Sequence, residues 1–79
     1  MTKTKSQPID RIRLGTLRAA IWKNESTNGH FYSVTNDRGY LDGEEWKNST
    51  SFTRDDLLPL GKMMERAYIR IHALQLTDR

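Results

Sequence analysis

The sequence predicts an α+β fold, an antiparallel three-stranded β-meander followed by one long C-terminal helix packed across the sheet. Three observations carry this expectation. Over residues 55–74, Leu57, Leu60, Gly61, Met64, Ala67, Tyr68, Ile71 and Leu74 recur at steps of three and four, which places them on one face of a helix. Before them, three stretches alternate apolar and polar residues with the period of two that marks half-buried strands. Between those stretches stand Asn28-Gly29 and Asp42-Gly43, pairs suited to tight turns. A helix this one-sided is unstable alone in water, and the strands are the surface available to cover it.

Taken in order, residues 1–8 are polar, carry Lys3 and Lys5 and have no periodicity; they read as a disordered basic arm ahead of a single domain over residues 9–79. Strand character begins near Ile12. Leu17, Ala19 and Ile21 alternate with Arg18, Ala20 and Trp22, while Ile12 and Leu14 alternate in the opposite phase. A β-bulge at Gly15-Thr16 would account for the slip. A second strand is expected over residues 30–40 and a third over residues 45–52. If Trp22 lies opposite Phe31 and Tyr40 opposite Trp46, then Leu17, Ala19, Ile21, Tyr32, Val34, Tyr40, Trp46 and Phe52 share the core face. Thr53 with Asp56 resembles a capping box. Pro59 disfavours an early helix start, so the sequence points to a start at Asp55 or Asp56.

A domain of 79 residues buries a modest share of its surface and often needs a staple or a partner. There is no cysteine, which excludes a disulfide framework and thiolate metal sites. Homodimerisation is the remaining route. Leu58, Ile69 and Leu76 form a second, narrower helix stripe where a subunit interface is expected. Lys62, Arg66 and Arg70 occupy the arc between the stripes. No apolar run is long enough to span a bilayer and no signal-peptide pattern is present, so a cytoplasmic protein with no membrane role is expected. The two glycosylation sequons, at Asn24 and Asn48, then read as coincidences.

The net charge of +3 is unevenly spread. Residues 1–23 hold six bases and one acid, and residues 24–56 hold seven acids and three bases. A basic N-terminal part suits a polyanion, whereas the acidic middle argues against uniform coating by nucleic acid. Catalytic residues are not apparent. His30 and His72 have no shared spacing, Glu44-Glu45 and Asp55-Asp56 are explained by a turn and a helix start, and no phosphate-cradling glycine loop is present. The expectation is no enzyme, no metal, no cofactor and no small-molecule substrate.

The outer sheet face, opposite the helix, is more informative. It is expected to show Arg18, Trp22, Phe31, Ser33, Thr35, Lys47, Ser49 and Ser51. Aromatics among hydroxyls and bases make a platform on which unpaired bases can stack, with Arg and Lys on phosphates. Arg18, Trp22, Phe31 and Lys47 are the candidate nucleic-acid-binding residues, with Arg11 and Arg13 adding attraction from the N-terminal side. Trp22 and Phe31 also suit two plainer roles, a cross-strand pair that stabilises a hairpin or a surface buried between subunits.

The runs Ile21-Trp22-Lys23-Asn24-Glu25, Asn28-Gly29-His30-Phe31-Tyr32-Ser33-Val34, then Trp46, and Ser51-Phe52-Thr53-Arg54-Asp55-Asp56-Leu57-Leu58 resemble a family of short uncharacterised bacterial proteins, over residues 12–72. More distantly, the order of meander, long helix and basic tail is similar to the positive-cofactor transcriptional coactivators, dimeric single-stranded DNA binders whose curved sheet is the platform. In that likeness residues 32–40, with Arg38, match the second strand, and Phe52-Thr53-Arg54-Asp55 the start of the helix. The basic, glycine-containing approach to the third strand is replaced here by acidic Asp42-Gly43-Glu44-Glu45. The resemblance implies a β-β-β-α fold and a DNA-facing sheet. The expected function is non-catalytic single-stranded nucleic-acid binding in transcription or replication, with a protein-interaction or structural module as the alternative.

Overall fold

The chain pairs Leu14 with Leu17 across Gly15 and Thr16, and Gly15 sits at φ +63°. A positive φ at the first central residue and not at the second is the geometry of a tight hairpin turn that favours Gly-X. The phase slip between Leu14 and Leu17 is therefore a reversal of the chain, not a bulge within one strand. In the computed structural model, which describes residues 7–77, the elements are β1 (Asp10–Leu14), β2 (Leu17–Ser26), β3 (Gly29–Asp42), β4 (Glu45–Ser49) and α1 (Arg54–Thr77). They form one antiparallel sheet in the order β1-β2-β3-β4, followed by the helix. The α+β class is as expected, with four strands in place of three. Most of the expected N-terminal arm lies outside the described residues.

The third strand is the spine. It pairs with β2 from Gly29 to Arg38 and with β4 from Arg38 to Asp42, so β4 flanks only its end. In β2 every second residue faces the helix: Leu17, Ala19 and Ile21 are buried. Their neighbours across the ladder, Leu14, Ile12 and Val34, stand on the same face and pack with them, together with Phe52. Full burial of a side chain such as Ile21 or Met63 contributes about 1.5–3 kcal/mol.

Two parts of the expected register are corrected. Trp22 lies opposite Ser33 rather than Phe31, a shift of two residues that leaves every side chain on its expected face. At the other end the shift is one residue. Gly43, at φ +66°, makes a two-residue Gly43-Glu44 turn, which pairs Asp42 with Glu45 and Leu41 with Trp46. Because one residue of slip reverses the face, Trp46 leaves the core for the outer side, where it is 68% exposed. Lys47 and Ser49 turn to the helix side instead.

The helix begins at Arg54, ahead of the expected Asp55 or Asp56. The backbone N–H and the hydroxyl of Thr53 both donate to Asp56 Oδ2 at 2.9 Å, the reach-back half of the expected capping box. This contact holds the Asp56 carboxyl below its ordinary pKa of 3.8, helped by the nearby Arg38 guanidinium. The early start leaves Pro59 inside the helix, where it lacks an amide for the ladder. α1 packs on β1 and β2 through Leu60, Met63, Met64 and Ala67. Met63 and Ala67 are buried, whereas Leu57 and Tyr68, expected in the core, are exposed. Residues 60, 63, 67, 71 and 74 obey the helical period as well as the expected set does, and the sheet selects that phase. Among the described residues no helix is long and apolar enough to cross a membrane.

Candidate nucleic-acid interface

No described element covers the sheet face opposite α1. The ladder fixes its rows in sequence. Phe31 and Asn24 come first, then Trp22 and Ser33, then Arg11, Ala20 and Thr35. Arg13, Arg18 and Asp37 follow, then Gly39 and Asn48, and finally Leu41 and Trp46. Aromatic residues thus stand toward both ends and arginines in the middle. Of the expected site residues, the structure brings Arg11, Arg13, Arg18, Trp22 and Phe31 to this face. Lys47 is not among them by register: it points to the helix side and pairs with Asp42 at 2.9 Å. Trp46 is the residue that sequence reasoning missed, and the Asp42-Gly43-Glu44-Glu45 turn was the signal that could have placed it.

Each side chain has a distinct setting. Trp22 is half-buried, its indole N–H donating to Thr35 Oγ1 at 2.8 Å, which holds the ring in one orientation. Asn24 donates to Ser33 Oγ at 2.9 Å. Phe31 is 52% exposed. Arg18 is already engaged: its guanidinium donates to Asp37 at 2.9 and 3.0 Å and to Asn48 Oδ1 at 2.6 Å, tying β2, β3 and β4 together. The two-bonded fork fits a guanidinium and a carboxylate, and it neutralises most of the positive charge internally. Arg11 and Arg13, on the edge strand, make no side-chain hydrogen bond or ion pair with other described residues.

A groove of about 620 Å³ runs beside Trp22, bounded by Arg11, Arg13, Arg18, Thr35 and Asp37. A second depression adjoins it at Arg13 and Arg18 and ends at Trp46, with Gly39 and Asn48 in its lining. A Cβ built on Gly39 would stand 3.8 Å from the Trp46 ring, so the bare backbone of β3 forms the floor there.

The ladder also sorts charge. By register, and among the described residues, the outer face carries Arg11, Arg13 and Arg18 against Asp37 alone. Asp10, Glu25, Asp42 and Glu45 fall on the helix side with Lys23, Arg38 and Lys47. The acidic middle of the sequence is thereby largely removed from the platform. Asp10 is held below its ordinary pKa by the Arg70 guanidinium, at 2.7 Å, and by the Arg11 amide. No group of three metal-ligating side chains occurs among the described residues.

No family model, curated protein or solved structure matches this chain. The chemistry of the face is left to its own residues. It offers flat apolar rings, two uncommitted guanidinium groups and short hydroxyl and amide side chains. Such a set has the chemistry to stack on planar groups and to attract anions.

Proposed function

We propose that this protein is a non-catalytic single-stranded nucleic-acid binder acting in transcription or replication, with the uncovered sheet face as its platform. One observation carries the reading: Trp22, Phe31 and Trp46 share a face with Arg11 and Arg13, whose side chains pair with no other described residue, and among the described residues Asp37 is the one acid on it by register. Bases stack on the rings while Arg11 and Arg13 take phosphates. Arg18 serves as a strut beneath the strand instead of a phosphate ligand. Duplex binds less well, because paired bases have no free face to stack. The likeness of element order to the positive-cofactor coactivators favours the same reading and a homodimer.

The dimer is proposed to form through α1. Leu58 is 87% exposed, Ile69 59% and Leu76 58%, all on the side of the helix away from the sheet. The same stripe favours the second reading, a protein-interaction module with no nucleic-acid role. Titration of a labelled single strand at two salt concentrations separates the two. Binding by phosphate contacts falls steeply with salt, and Arg11→Ala lowers the salt slope by about one phosphate's worth. Trp22→Ala weakens binding by about 1–3 kcal/mol. A folded wild type with no salt-sensitive affinity for single strands would discard the nucleic-acid reading in favour of the interaction module.

A further inference from the structure

Trp22 and Trp46 lie on the same face but at opposite ends of the staggered sheet. Trp22 is opposite Ser33 and Trp46 is opposite Leu41 on the same spine strand, eight residues apart along it. Their backbones are thus roughly 27 Å apart along β3 at 3.4 Å per residue. Both rings lean inward, Trp22 onto Thr35 and Trp46 beside Gly39, which brings the rings to within roughly 14 Å of each other. The rows between them have low floors: Ala20 in one and Gly39 in another, each next to an arginine of the edge or the strut. The two depressions meet at Arg13 and at the Arg18–Asp37–Asn48 strut, with Trp22 lining one and Trp46 the other.

We infer that the platform is a two-point site that recognises a length of extended single strand, with Trp46 as a second stacking residue and the Ala20–Gly39 floor as the passage between the two rings. The inference rests on the nucleic-acid reading above and narrows it to a ligand of defined minimum length. A mononucleotide or a short fragment reaches one ring and the adjoining arginine. A strand of about three to four nucleotides reaches both rings, at the lower edge of the site sizes of about 4–16 nucleotides known for small single-strand binders. The settings of the rings divide the work. Trp22 is fixed by Thr35 and offers an oriented surface. Trp46 is the more exposed and rests beside Gly39, where it can take a base with little disturbance of the fold.

The test measures affinity of oligothymidylates of two and eight nucleotides for wild type, Trp46→Ala and Gly39→Thr, with circular dichroism to verify folding. The wild type should bind the eight-nucleotide strand far more tightly than the dinucleotide. Trp46→Ala should lose about 10-fold on the longer strand and little on the shorter. Gly39→Thr should do likewise: its Cβ has room, with nothing closer than 3.8 Å, and the atoms beyond it stand in the passage beside Trp46. Length-independent wild-type affinity, or variants that bind the long strand as wild type does, overturns the two-point site while leaving single-strand binding intact. A wild type that binds neither length overturns both readings.

Discussion

Asp10 and Asp56 show how single charges contribute to this fold. Both carboxyls are held below the ordinary value of 3.8, Asp10 chiefly by the hydrogen bond from Arg70 and Asp56 chiefly by the Thr53 amide. A depressed pKa means that the folded chain binds fewer protons than the unfolded chain in acid. The associated stability is therefore present above the unfolded pKa, near pH 4, and is lost as pH falls through the lower folded values. Urea midpoints measured from about pH 6 down to about pH 2.5 should drop across that window, and Asp10→Asn should flatten part of the drop. The ion pair of Asp10 is half-exposed on the Arg70 side, so its share is modest. The two tryptophans give a separate check on register. Acrylamide should quench Trp46 more strongly than Trp22 in single-tryptophan variants, because Trp46 is 68% exposed and Trp22 is half-buried. Equal shielding would contradict the Leu41–Trp46 pairing.

Pro59 and the Gly-X turns decide how the elements begin and end. Pro59 is the sixth residue of α1, one turn past the Thr53–Asp56 cap, where its ring replaces an amide that would have completed the ladder. Pro59→Ala should restore that bond and raise the unfolding free energy by about 1–3 kcal/mol in chemical denaturation. An unchanged or lowered midpoint would mean that the half-buried ring contributes packing equal to the missing bond. The strands have a complementary device. Gly15 and Gly43 supply the left-handed first position of their turns, and each turn fixes the register of a whole strand pair.

For the whole molecule, the helix lies over β1 and β2, so one face of the sheet and one side of the helix remain open. Its extents of 45 × 32 × 15 Å describe a two-layer slab with little interior. Among the described residues only Leu17, Ala19, Ile21, Met63 and Ala67 are buried and apolar, a small core for this length. Such a chain gains from association, and the proposed second copy would cover Leu58, Ile69 and Leu76. Ile69→Glu should yield a monomer, or an unfolded chain if the dimer is needed for folding. Light scattering across a concentration series reads the first outcome and circular dichroism the second. Wild type that stays monomeric at high concentration would remove the helix face as an interface between copies.

The sequence by itself determined the class, the helix, the apolar identity of β2 and the face of Trp22, because each follows from a local period of two or from three-and-four spacing. Arg18, Trp22 and Phe31 were legible as one face for the same reason, whereas Arg11 and Arg13 joined it only through the pairing of β1 with β2. Tertiary structure decided the rest. Whether Gly15-Thr16 bulged or reversed the chain depended on Leu14 meeting Leu17: a glycine there suits a bulge as well as a Gly-X turn, and the pairing of β1 with β2 decides between them. Trp46 and Lys47 exchanged faces because the Gly43 turn set a register one residue from the expected one. Met63 displaced Leu57 and Tyr68 from the core because two helical phases suited the same residues and only the position of the sheet chose between them. Arg18 looked like a free cation until folding brought Asp37 and Asn48 to it, from positions 19 and 30 residues away. Periodicity is a property of neighbours in sequence; register, helix phase and charge pairing are properties of neighbours in space.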